Sequence, residues 1–180
     1  DGRPLFVVVG GACKEPDAPL HADSRVGAYD LERRSWREVH TAGAAPSPRY
    51  RHAACVIGDG LDTLVVWGGY TLALDGSSAN SLSTADVHLL HLPSATWSSP
   101  RCTGAPPSRR GGHSLTKVGR KLIIYGGGQL NLSPARMVWA ECDLDDVACL
   151  DTQTWHYDAL DVRGLPPGPR GGHSATRVGV

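Results

Sequence analysis

Three sets of residues in this 180-residue chain have types and spacings that could do chemistry. The first is His52, His113 and His173, separated by 61 and 60 residues (52 to 113, 113 to 173). A metal–imidazole bond is only ~2 Å long. Equivalent positions in successive repeats are held apart, so these histidines are not expected to share one ion. The second set is Glu141, Asp145 and Cys149, each four residues from the next. Two carboxylates and a thiolate suit Fe(II), although the acidic stretch 141–146 reads equally well as a solvated loop. The third set is cationic. Arg49, Arg110 and Arg170 each stand three residues before one of the histidines, with Arg51 and Arg109 beside them and Tyr50 adding an aromatic ring. Guanidinium groups bind carboxylates with two prongs, and a ring of them raises the local potential.

Several chemistries have no motif here. There is no nucleophile elbow, phosphate loop or dinucleotide fingerprint. Gly126-Gly127-Gly128 is glycine-rich but lacks the following Lys and helix of a phosphate site. No catalytic residues and no cofactor are expected. The charge is balanced, 18 basic against 18 acidic residues, so a nucleic-acid surface is not expected. No apolar run approaches the ~18 residues of a membrane span. Five cysteines (Cys13, Cys55, Cys102, Cys142, Cys149) show no C-x-x-C spacing and read as reduced thiols of an intracellular, cytoplasmic protein.

The elements that position these sets repeat with them. Three apolar runs each close on a glycine doublet: Leu5 to Gly10-Gly11, Leu64 to Gly68-Gly69, and Leu122 to Gly126-Gly127. The doublets follow one another by 58 residues (10 to 68, 68 to 126). Trp36, Trp97 and Trp155 keep the same order. With 22 Gly and 13 Pro the chain is rich in turns. Each unit reads as four short strands. The first begins at the histidine and the second is the apolar run, covered on both faces because it does not alternate. Second strands are expected at about 5–11, 63–69 and 121–127. A long loop follows, then a third strand such as Asp86–His91 or Asp146–Asp151. A fourth strand carries the Trp. Proline-rich segments at 43–46, 104–107 and 164–167 connect the units outside the ladders.

A Gly-Gly doublet closing an apolar strand, then Tyr-Asp or Leu-Asp, then Trp, resembles the kelch repeat. The Pro-x-x-Arg-x-x-His lead-in resembles the kelch proteins outside the BTB group. That resemblance implies an all-β propeller of three consecutive four-stranded antiparallel blades and the first strand of a fourth, an incomplete ring. The blades fall at 1–41 (lacking its first strand), 46–101 and 106–160, with 166–180 starting the next. The parent ring is expected to have six or seven blades, completed by more of its own chain or by other subunits. Two departures stand out. Arg25 occupies the third-strand start where the other units have an acidic residue, and the period near 60 exceeds the ~50 of the kelch repeat.

The resemblance implies a protein–protein interaction scaffold or substrate-recognition domain, an adaptor within a larger complex. Its settings would include ubiquitin ligases, trafficking complexes and cytoskeletal or ciliary assemblies. Partner contacts are expected from the long loops, through Leu72, Leu74, Leu130 and Leu132, and from the channel mouth, through Arg49, Tyr50, Arg109, Arg110 and Arg170. In a kelch adaptor that captures an acidic degron, arginines at similar positions bind carboxylates, so an acidic peptide or loop is the expected ligand. The competing reading ties each arginine to its own propeller. Gly10, Gly11, Gly68, Gly69, Gly126, Gly127, the three Trp and the three His read as structural repeat positions. The alternative function is an iron-dependent enzyme similar to the nitrile-specifier kelch proteins, using Glu141, Asp145 and Cys149.

Overall fold

The computed structural model describes residues 4–13, 21–71, 82–130 and 141–179. Every helix or strand among them is a β-strand. The first blade is an antiparallel sheet of β1 (Leu5–Cys13), β2 (His21–Asp30) and β3 (Ser35–Glu38). The second orders β6 (Ala53–Ile57), β7 (Thr63–Thr71), β8 (Leu82–His91) and β9 (Thr96–Ser98), all antiparallel. In it, β5 (Arg49–Tyr50) pairs with the far end of β7. The third blade repeats this with β11 (Ser114–Val118), β12 (Lys121–Tyr125), β15 (Val147–Asp151) and β16 (His156–Asp158). Between β12 and β15, β13 (Gly128–Leu130) and β14 (Glu141–Asp143) form a separate ribbon.

The connectors do more than the sequence suggests. Their first residues, β4 (Ala42–Gly43) and β10 (Thr103–Gly104), add a parallel edge to the next blade, pairing with β9 and β16. The prolines that follow stay out of the ladders, as their missing N–H requires. Residues 173–179 run along β11 in the place expected for a fourth blade's first strand. Thr116 Oγ1 donates to the Ala175 carbonyl (3.4 Å). They have no ladder partner among the described residues.

The second strands lie where expected, and β7 is buried on both faces. The glycine doublet makes room for the neighbouring blade. Gly126 has φ +66°, and a Cβ there would stand 2.5 Å from the Arg170 carbonyl oxygen and 2.9 Å from the His173 ring. Beside it, the Gly127 N–H donates to that same carbonyl (2.8 Å). Gly69 N–H does the same to Arg110 one blade earlier (2.8 Å). A side chain here would push the next blade away.

Two seams hold the core. Between the second and third blades, Ile57, Val65, Trp67 and Val87 pack with Leu115, Leu122, Ile124, Leu150 and Tyr157. Between the first and second, Val7, Val9, Val26 and Val39 meet Leu64, Val66, Leu90 and Trp97. Trp67 is fully buried, and removing such a side chain costs about 3–5 kcal/mol.

Register corrects one repeat position. Tyr29 pairs with Trp36, Leu90 with Trp97, and Leu150 with Tyr157. Tyr157 therefore holds the place of Trp36 and Trp97. Trp155 lies two residues earlier in the turn, at φ 53°, where Arg34 (55°) and Ala95 (51°) sit in the other blades. The Tyr-Asp and Leu-Asp pairs shape these turns: Asp30 Oδ1 accepts from the Glu32 and Arg33 N–H groups (2.9 Å each). Asp151 Oδ1 likewise accepts from Gln153 and Thr154 (2.9 and 3.2 Å).

Candidate functional site

Burying a guanidinium without a partner is prohibitive, so where Arg49 and Arg110 sit decides what they do. They are 2% and 0% exposed. Arg49 donates through Nη1 and Nη2 to Asp86 Oδ1 and Oδ2 (2.7 and 2.8 Å) and through Nη1 to the Gly68 carbonyl (2.9 Å). Arg110 grips Asp146 in the same way (2.6 and 2.8 Å) and reaches the Gly126 carbonyl (3.1 Å). The expectation that these two arginines receive a partner's carboxylate is corrected: each is already consumed by an aspartate of its own blade. Tyr50 is corrected with them, being buried edge-on against Tyr70 at 5.5 Å. Asp86 and Asp146 are the residues whose role the sequence reading missed. The signal was present, since each stands one residue before a valine of the third strand, Val87 or Val147, and only Arg25 breaks the pattern.

The Asp86 carboxylate has further company. His88 Nε2 lies 2.8 Å from Oδ2, and Ser99 Oγ lies 3.2 Å from His88 Nδ1. Burial alone would raise the Asp86 pKa, but hydrogen bonds from Arg49 and His88 and their charges outweigh it and hold the carboxyl well below its usual range. The acid of this Ser–His–Asp row is thus already neutralised by Arg49. The row braces the ion pair and is not poised to activate Ser99.

The repeat histidines lie within the blade junctions. His113 is 5% exposed, its ring edge-on to Trp67 at 4.7 Å, and neither ring nitrogen meets a hydrogen-bond partner among the described residues. Burial first, then the Arg110 charge, push its pKa down to about 3. His52 is lowered by burial and by Arg49. His173 Nε2 meets Ser114 Oγ at 3.0 Å.

The remaining expected partner residues differ among themselves. Arg109 and Arg170 are exposed, as is Arg51. Among the described residues the Arg170 guanidinium donates to nearby backbone, the carbonyls of Pro167 and Gly168. Leu72, Leu74 and Leu132 lie outside the described residues. Leu130 closes β13 and Glu141 opens β14, with their side chains outside the described set. Asp145 is exposed, whereas Cys149 is 2% exposed in β15 and burial pushes its thiol up, away from the thiolate a metal would need.

One end of the blades gathers the exposed features. The hairpin extension of β7 and β8 passes the doublet and abuts the β13–β14 ribbon, with Tyr70 Oη donating to the carbonyls of Gly128 (2.8 Å) and Gly111 (3.4 Å). Arg109 stands two residues before Gly111 of this junction, and the Arg51 carbonyl accepts from Gly112 N–H (2.8 Å). Elsewhere a cleft of about 1040 Å³ opens along β1, lined by Leu5, Val7, Val9, His52, Val56 and Leu64.

Comparison with known proteins agrees with this geometry. The model of the KLHDC2/KLHL20/DRC7 Kelch-repeats domain matches residues 3–179. The Bos taurus Rab9 effector protein with kelch motifs is 31% identical over 99% of this chain and 42% of its own length. Kelch domain-containing protein 3 of Bos taurus is 33% identical over 77% of this chain and 31% of its own. Acyl-CoA-binding domain-containing protein 4 of Arabidopsis thaliana is 30% identical over 81% and 20%. The chain thus spans less than half the length of these relatives. The solved structure of YjhT superposes with a TM-score of 0.62 at 16% identity, over 95% of this chain and 51% of that one. That likeness concerns the fold.

Proposed function

This chain belongs to the kelch-repeat family, and we propose that it is a non-catalytic scaffold binding partner proteins through the blade end where its hairpins and arginine lead-ins meet. The observation that supports this most is the Tyr70 junction, which locks two neighbouring hairpins side by side. Rigid scaffolds commonly present their contacts on connections of this kind. Relatives that include Rab9 effectors with kelch motifs fit a protein ligand. The exposed Arg51 and Arg109, in place of the buried Arg49 and Arg110, favour an acidic peptide or loop. The proposed setting is cytoplasmic.

The test is an array of Asp/Glu-rich peptides probed with the 180-residue chain and with Arg109→Glu. Capture should fall by roughly tenfold in the variant, the effect of reversing one charge at a contact, with an unchanged melting temperature. It should also weaken as salt rises. Equal capture by both proteins overturns this reading.

A further inference from the structure

A second cleft, of about 340 Å³, opens between the second and third blades. Its lining includes Ala85 and Val87 of β8, Pro100, Cys102 and Pro106 of the connector, and Tyr157 of β16. Both walls come from blades with all four strands in place. Val87 and Tyr157 are each 6% exposed and belong to the seam core, so the floor is held firmly. Cys102 is half-buried and carries a free thiol.

Register shows which side chains are smaller here. Tyr157 holds the place that Trp97 fills in the previous seam. Thr103 pairs with His156 as Ala42 pairs with Thr96, so Pro100 stands where Val39 packs into that seam. A phenol and a proline thus replace an indole and a valine. The walls offer a phenol ring, two pyrrolidine rings and a sulfur, and rings and sulfur both favour an aromatic guest.

The cleft adjoins the surface assigned above to the partner. Ala85 lines it, and the carbonyl of the preceding residue, Thr84, accepts from Arg110 N–H (3.1 Å). Pro106 lines it too, and the exposed Arg109 follows three residues later in the same connector. Three residues of extended chain span roughly 10 Å. Asp86 borders the cleft with its side chain 43% exposed, which disfavours a carboxylate inside it.

We propose that the cleft between the second and third blades receives an aromatic side chain of the partner, about three residues from the acidic residue that meets Arg109. This rests on the acidic-partner reading above and gives that partner a second anchor. The carboxylate sets the position, and the ring supplies the buried apolar area that anchors an interface.

The probes are two synthetic Asp/Glu-rich peptides differing at one position, about three residues from the acidic run, with Trp in one and Ala in the other. One series places that position before the run and a second places it after. Trp should tighten binding to the 180-residue chain by about tenfold in one of the two series. In Cys102→Leu, whose melting temperature should match the wild type, the larger side chain takes up the space, and the Trp and Ala peptides should bind alike. Arg109→Glu should weaken both. On the wild-type chain the Trp peptide should slow the labelling of Cys102 by N-ethylmaleimide, mapped by mass spectrometry, which reads the cleft without any variant. No gain from Trp in either series, a gain kept by Cys102→Leu, or Cys102 labelling unchanged by the Trp peptide would each overturn the proposal. A Trp gain together with indifference to Arg109→Glu leaves the ring site standing and overturns the acidic reading alone.

Discussion

Arg110 and Asp146, 36 residues apart in sequence, form a two-pronged ion pair in which the guanidinium is wholly buried and the carboxylate is about half exposed. The main chain of Arg110 meanwhile serves the preceding blade: its carbonyl accepts from Gly69 N–H and its N–H donates to the Thr84 carbonyl (3.1 Å). One residue therefore pins two blades.

Removing only the anion leaves that cation buried and uncompensated. Asp146→Ala should cost about 3 kcal/mol, the lower end of the range for breaking a buried pair because Asp146 is partly solvated. Asp146→Asn should recover part of the loss. Urea midpoints of the three proteins check this, and a cost below about 1 kcal/mol would assign the pair to the surface class.

The seam hydrogen bond from Trp67 Nε1 to Tyr157 Oη (2.9 Å) makes a second prediction. Tyr157→Phe keeps the ring but strands a buried donor, which should lower stability by about 1–3 kcal/mol. Trp97, at the equivalent place in the previous blade, already has a buried Nε1 without a partner among the described residues. Trp97→Phe removes that stranded donor but also part of a buried ring, so its cost should come from the cavity and not from a lost hydrogen bond. Thermal unfolding of the two variants compares them directly.

Much of the fold was legible because its sharpest constraints are local. A doublet that must admit a neighbour's carbonyl can only be glycine, and a both-faces-buried strand reads as an unbroken apolar run. The Tyr157 position was not legible in that way. A Trp two residues away in the turn satisfied the pattern by eye, and only strand register shows which aromatic faces Trp67. The arginines were legible as repeat residues, but their role depended on carboxylates 36 and 37 residues further on. That pairing is created by strand order.

The His113 environment gives a pH prediction. Unfolded, this histidine takes a proton near its ordinary 6.5, while folded it resists until about 3. The folded state thus binds fewer protons, so stability is complete above pH 6.5 and falls as pH drops from 6.5 toward 3. The slope is about 1.4 kcal/mol per pH unit for one such group. His113→Phe keeps a ring edge against Trp67 and should flatten the profile by one proton. Unfolding measured at pH 7.5 and 5 decides it, and an unchanged slope would count against His113 as the source.

Two glycines separate backbone strain from crowding. Gly119 (φ +58°) has nothing within 4 Å of an added Cβ, whereas Gly126 (φ +66°) faces the Arg170 carbonyl. Gly119→Ala should cost about 1–2 kcal/mol, the left-handed penalty alone. Gly126→Ala should cost more and lower the protection of Gly127 N–H in hydrogen exchange. Equal costs would show that the blade seam yields to the new methyl.

The parallel edge strands have a consequence in time. Ala42 pairs with Thr96 and Thr103 with His156, so each blade's outermost piece precedes its partner by 54 and 53 residues (42 to 96, 103 to 156). At roughly 5–20 residues per second of synthesis, that piece leaves the ribosome roughly 3–11 s before the strand it joins. The rim of a blade is thus translated first and sealed last, by a segment already tethered to the finished neighbour. Each completed blade hands the next one a waiting edge, so assembly during synthesis proceeds in one direction along the chain.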